Sequence, residues 1–154
     1  MWSDGLLDQA RRTRRDVAAA LATLGVPGEL VLTGGASVPG ALTRGDIDLH
    51  LRVPRERFEA VVARLGQVYP VASPGAWAAT LAVYDVPGPR PTGLAVTPLD
   101  SEHDRRFVST WAALSRSPQL LAEYNALKSA AAGTADYERR KSDFFTRISG
   151  PAVS

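Results

Sequence analysis

The run Asp46–Val53 (DIDLHLRV) alternates without a break between polar and apolar residues. That pattern fits an extended strand, whose successive side chains point to opposite sides, and conflicts with a helix, which repeats every 3.6 residues. Ile47, Leu49, Leu51 and Val53 form the apolar face and read as core, while Asp46, Asp48, His50 and Arg52 share the other face. Asp46 and Asp48 are one strand repeat apart, roughly 6–7 Å between Cα atoms. Two carboxylates that close repel, and each has its pKa raised unless a cation sits between them. Mg²⁺ prefers oxygen ligands and usually takes one or two carboxylates together with substrate phosphates. Asp46 and Asp48 are therefore the candidate metal ligands; the alternative is a solvated polar face of an antiparallel sheet.

Just upstream, Gly34-Gly35-Ala36-Ser37 closes a strand–loop–strand unit that spans Leu32–Val53. A loop of this kind turns its N–H groups towards an anion without side-chain obstruction. Gly34, Gly35 and Ser37 are candidate nucleotide-binding residues, set against the plain alternative of a tight turn. A phosphate cradle followed by an Asp-x-Asp strand is what transfer of a nucleotide from a triphosphate requires. His50 extends the carboxylate face, either as a proton carrier or outer-shell partner or as a structural histidine.

The flanking sequence predicts a mixed α+β fold. Ser3 is placed to cap a helix whose stripe Leu6, Leu7, Ala10, Val17, Leu21 and Leu24 runs to Gly25. Arg11, Arg12, Arg14 and Arg15 lie around its other sides, as a solvated face or as an anion contact. Glu29–Thr33 reads as a strand. After Pro54 a helix carries Phe58, Val61, Val62 and Leu65 to Gly66, and Gln67–Val71, Trp77–Val86 and Gly93–Thr97 read as further strands. From Ser101 the period changes to helical. Ser101 and Asp104 form a capping pair for Phe107, Trp111 and Leu114; Ser117-Pro118 starts a second helix with Leu120, Leu121, Tyr124 and Leu127, ended by Gly133. Thr134 caps a third with Tyr137, Phe144, Phe145 and Ile148, ended by Gly150-Pro151. Residues 1–100 thus read as a sheet half and 101–154 as a small helical bundle, packed as one compact unit with the site at their junction.

Composition excludes several chemistries. Without cysteine the 154-residue chain has no disulfide, thiolate nucleophile or zinc–sulfur site, and a cytoplasmic location is expected. No run approaches the roughly 18 apolar residues that span a bilayer, and the start of the chain has no apolar signal core. A net charge of +2 is too weak to argue for a nucleic-acid partner. The oligomeric state is left open.

Gly34-Gly35-Ala36-Ser37-Val38-Pro39-Gly40 and Leu42-Thr43-Arg44-Gly45-Asp46-Ile47-Asp48-Leu49 together resemble the signature of the GrpB family, which belongs to the DNA polymerase β superfamily of nucleotidyltransferases. Ser117–Lys128 (SPQLLAEYNALK) and Lys141-Ser142-Asp143-Phe144 are similar to its C-terminal motifs. The resemblance covers roughly 28–149. It implies a nucleotidyltransferase-like mixed sheet flanked by helices and followed by a C-terminal bundle. It also implies one or two Mg²⁺ ions on Asp46 and Asp48, a nucleoside triphosphate as substrate, an unidentified hydroxyl or phosphate acceptor, and release of pyrophosphate.

Arg44 occupies a position often basic in the family, as a phosphate contact or an exposed loop cation. Lys128 and Lys141 are candidates to neutralise the triphosphate, and Tyr124, on one helix face with Lys128, to stack on the base or orient a phosphate. The bland alternative makes Tyr124 core and the lysines surface. Three features depart from the family pattern. Gly35 stands where serine is common, Gly93–Thr97 has no histidine, and the superfamily's third carboxylate is ambiguous. Asp85 leads, ahead of Asp100 and Glu102. The ambiguity supports an alternative function, a catalytically inactive nucleotide-binding or regulatory module on the same fold.

Overall fold

A computed structural model of the chain describes residues 1–131 and 135–149. Among these, the α-helices are α1 (Leu7–Thr23), α2 (Phe58–Gly66), α3 (Glu102–Arg116), α4 (Pro118–Ala131) and α5 (Tyr137–Ser149). The strands are β1 (Glu29–Thr33), β2 (Ile47–Val53), β3 (Ala82–Val86) and β4 (Thr92–Pro98). The class is α+β, as expected. One mixed sheet has the order β1-β2-β4-β3, with β2 and β4 parallel at its centre and the edge strands antiparallel to them. None of the helices is long and apolar enough to cross a membrane, among the described residues.

The register sorts side chains into rows across the sheet. Leu32, Leu49, Leu94 and Tyr84 form one row, and Leu30, Leu51, Val96 and Ala82 the next. These rows face α1 and α2, where Leu6, Ala10, Val17, Leu21, Phe58, Val61 and Leu65 complete the main core. The opposite face carries the rows Thr33–Asp48–Gly93–Asp85 and Val31–His50–Ala95–Val83. Here α3 covers His50 and the residues beyond it, and leaves the Asp48 row open. A second core, of Val38, Ala41, Leu114, Tyr124 and Phe144, joins the helices α3, α4 and α5 to the loop before β2. Val38 and Ala41 are therefore apolar for a bundle core, although they stand in the sheet half.

The structure corrects several expectations. Ser3 does not cap α1: it lies in a short 3-10 turn and its hydroxyl donates to the Val38 carbonyl. Pro54 starts a 3-10 turn, Arg55–Arg57, and α2 begins only at Phe58. Gln67–Val71 is no strand. Tyr69 N–H still bonds Leu65 O, and only Val71 makes an isolated bridge, to Tyr84. The stretch Trp77–Val86 shortens to Ala82–Val86, because the Trp77 indole N–H turns to the carbonyls of Ala72 and Val83 and residues 78–81 form a turn. Ser101 does cap α3, its hydroxyl accepting the Asp104 N–H. The Asp104 carboxylate does not reciprocate as in a capping box; it turns to Arg52 and the Asp100 N–H. Gly133, Thr134 and Gly150-Pro151 lie outside the described residues.

Candidate active site

The strand β1 delivers the chain to Gly34, whose φ of +69° is left-handed, a conformation that glycine adopts without strain. A Cβ at Gly34 would also run into the Asp48 carboxylate. The loop and the acid strand are thus in direct apposition. At Gly35 a Cβ would stand 3.2 Å from the Tyr124 hydroxyl and 3.3 Å from the Leu42 carbonyl, so the turn packs closely against α4 and the loop before β2. The Ser37 hydroxyl donates to Gly34 O at 2.7 Å and shapes the turn from within; it does not face outward as a free donor.

The following loop is held from two sides. Asn125 of α4 accepts the Leu42 N–H at 2.8 Å and donates to Gly40 O at 2.9 Å. Ser3 and Asp4 bond the same loop at Val38, Gly40 and Ala41. Asn125 was not singled out by sequence reasoning, although it adjoins Tyr124 in the helical motif. It fixes where Arg44 and Asp46 emerge.

Asp46 is exposed and Asp48 half-buried. Burial, then the neighbouring Asp46 charge, raises the Asp48 pKa, and Lys141 and Lys128 oppose the rise. Lys128, half-buried, has its pKa lowered by burial and by Lys141 and Arg44, against the pull of both acids. Its Nζ lies 5.6 Å from the Tyr124 ring centre. Lys141 Nζ and the Arg44 guanidinium stand over the Tyr137 ring at 5.9 and 6.0 Å. Tyr124 is 3% exposed, and its pKa is raised by burial first, so its hydroxyl stays protonated. Asp46, Asp48, Arg44, Lys128 and Lys141 thus influence one another across one site that the glycine turn borders, two anions facing three cations. Tyr124 is both core and site border.

Register separates the three remaining candidate acids. Asp85 is exposed and shares the row of Asp48, with Gly93 between them, two strand spacings or about 10 Å away. Asp100 and Glu102 follow the far end of β4, beyond Pro98, five residues or about 17 Å along the strand from Gly93. Among the described residues, no three His, Cys, Asp or Glu side chains group to hold a metal ion.

His50 is structural. It is 1% exposed, its Nε2 lies 2.7 Å from Thr97 Oγ1, and Thr97 donates to Asp104 at 3.1 Å. Burial outweighs the nearby Asp104 and lowers its pKa to about 4. Arg11, Arg12, Arg14 and Arg15 line a separate groove at the β1 edge, away from the acid pair. A cleft of about 470 Å³ opens beside Gly34 and Asp48 and runs between the sheet, α3 and α5.

A sequence profile of the GrpB protein family matches residues 3–150. The chain belongs to the GrpB family. A solved structure, the conserved protein GrpB from Enterococcus faecalis, is similar with a TM-score of 0.69 at 15% identity, over 91% of this chain and 90% of that one. At that identity the likeness shows the fold alone. Family and fold together support a nucleotidyltransferase-like architecture. No curated protein matches the chain.

Proposed function

We propose that this GrpB-family chain is a Mg²⁺-dependent nucleotidyltransferase that moves a nucleoside monophosphate from a triphosphate to a hydroxyl or phosphate acceptor. The observation that carries the reading is the meeting of Asp46 and Asp48 with Arg44, Lys128 and Lys141 beside the glycine turn. Two carboxylates one strand repeat apart, one with its pKa raised by burial and by the other, fit a hard divalent ion that completes its shell with phosphate oxygens. When bound by Asp46 and Asp48, Mg²⁺ supplies positive charge to the reacting phosphate.

The chain's own groups do the rest. The Ser37 and Val38 amides are bonded within the turn, and Gly34 is the loop residue that lines the cleft beside Asp48, where a phosphate would meet the loop. Lys128, Lys141 and Arg44 offset the triphosphate charge, and the Tyr124 hydroxyl borders the turn at Gly35. An acceptor oxygen attacks the α-phosphorus in line, the bond to pyrophosphate breaks, and a carboxylate takes the acceptor's proton. Asp85, in the same row as Asp48 with Gly93 between them, is the acid proposed to take that proton. Positioning and fixed charge supply most of the acceleration.

Asp48→Asn is expected to abolish Mg²⁺-dependent pyrophosphate release; retained turnover refutes the reading. One observation favours a second reading, a nucleotide-binding module without turnover: Asp85 is not grouped with Asp46 and Asp48. Triphosphate binding by calorimetry without any product in the pyrophosphate assay selects it.

A further inference from the structure

The cleft that opens at Asp48 continues along β4. Its floor is Gly93, paired with Asp48 and Asp85, and then Ala95, paired with His50 and Val83. The fold does not need a glycine at 93. Its φ is not left-handed. A Cβ built there meets only Asp48 Oδ1, at an ordinary 3.5 Å, and no other atom within 4 Å beyond its chain neighbours. Glycine weakens a strand, and its presence marks a bulge, a bend or a close approach by a ligand or another backbone. Here the register is unbroken and no other backbone approaches, so the glycine leaves open floor beside Asp48.

The wall opposite this floor is aromatic. Phe107 and Trp111 stand four residues apart on α3, and Phe145 comes from α5. Their neighbours fix them before any ligand arrives. Phe107 lies 5.0 Å from the His50 ring, and Trp111 lies 5.4 Å from Phe145 and 6.0 Å from Tyr124. From the Gly93 row to Leu81 is four residues along the strand, about 13 Å, enough to seat a nucleoside. At that far end stands His103, its Nδ1 2.7 Å from Thr80 Oγ1. An apolar, ring-walled trough with a few polar groups, leading out of an anion site, suits a flat ring attached to phosphates.

We propose that the trough over Gly93 and Ala95 seats the nucleobase of the triphosphate, against the wall of Phe107, Trp111 and Phe145. This rests on the nucleotide-transfer reading and adds the base subsite to it. The test is calorimetric binding of Mg-ATP, Mg-GTP, Mg-CTP, Mg-UTP and Mg-tripolyphosphate to the full chain and to Gly93→Val and Ala95→Val. At least one nucleotide is expected to bind about tenfold tighter than tripolyphosphate, the order that base stacking supplies. Both variants are expected to lose that advantage, and Ala95→Val, one row away from Asp48, is expected to bind tripolyphosphate within about twofold of the parent. Gly93→Val should not lower the melting temperature, since valine favours a strand; this separates a filled trough from a damaged fold. Nucleotides that bind no tighter than tripolyphosphate, or variants that keep the full advantage, overturn the base subsite alone. If neither nucleotide nor tripolyphosphate binds the parent chain, the nucleotide-transfer reading falls, and the subsite with it.

Discussion

Arg52 grips Asp104 with two near-parallel hydrogen bonds, Nε to Oδ1 at 2.8 Å and Nη2 to Oδ2 at 2.9 Å. The carboxylate is fully buried, and it also accepts from Thr97 and from the Asp100 N–H, so it ties α3 to β2 and β4. Burial alone would raise its pKa, but the Arg52 bond and these two donors outweigh it and hold the group below the usual carboxylate range. Arg52→Met leaves that charge inside without its main partner. Unfolding in urea at pH 7 should show a loss of about 3–5 kcal/mol, the usual effect of breaking a buried pair from one side. The loss should shrink as pH falls, because the released carboxyl takes a proton more readily than in the parent.

His50 sets an acid limit on the fold. Its pKa is about 4 in the native state against 6.5 in the unfolded chain, because burial outweighs the attraction of Asp104. The unfolded chain therefore binds the proton first, and the stability gained from a neutral His50 is lost as pH falls from 6.5 towards 4. A shift of this size amounts to roughly 3 kcal/mol across that window. Asp104, with its lowered pKa, adds its own loss only further down. Stability curves at several pH values should carry, near pH 5, a slope contributed by His50 of about one proton taken up on unfolding. His50→Gln should remove that slope.

Asp48 behaves in the opposite sense. Its raised pKa means the folded state disfavours the ionised form, so stability is lost as pH rises from 3.8 through the native value. Asp48→Asn should melt at the same temperature as the parent or higher at pH 7, with the difference vanishing near pH 3. Added Mg²⁺ should raise the parent's melting temperature by mass action and leave the variant's unmoved. A variant that melts lower at pH 7 contradicts this account.

Asn125→Ala removes both bonds that α4 makes to the loop before β2, leaving the Leu42 N–H and the Gly40 carbonyl without their side-chain partner. Each unmade bond costs about 1–3 kcal/mol when the group stays buried; these two are partly buried, so a total near the lower end, about 2 kcal/mol, is expected in urea unfolding. Hydrogen exchange should quicken first at Leu42, ahead of the amides of β2.

Much of this was legible locally. The Asp46–Val53 alternation gives a strand because one buried face imposes a period of two, and the change of period at Ser101 separates sheet from bundle. Trp77–Val86 was too long because an apolar run does not reveal that the Trp77 indole bonds Ala72 and Val83 and turns the chain. The site itself depends on distant parts. Arg44 and Lys141 meet over Tyr137, 93 and 4 residues away from it respectively, and only the packing of α5 on the rest brings them together. Motif resemblance supplied those residues; periodicity alone did not. Register, which a single sequence does not display, separates Asp85 from Asp100 and Glu102.

The Gly34–Asp48 apposition joins two positions fourteen residues apart into a single evolutionary unit. Any side chain at 34 would occupy the volume now taken by the carboxylate at 48. A descendant lineage that acquires alanine or serine at the first position has to shorten, reorient or discard the acid at the second. Across many homologues the pair should change together, and chains that retain both should be those in which the acid still has work to do.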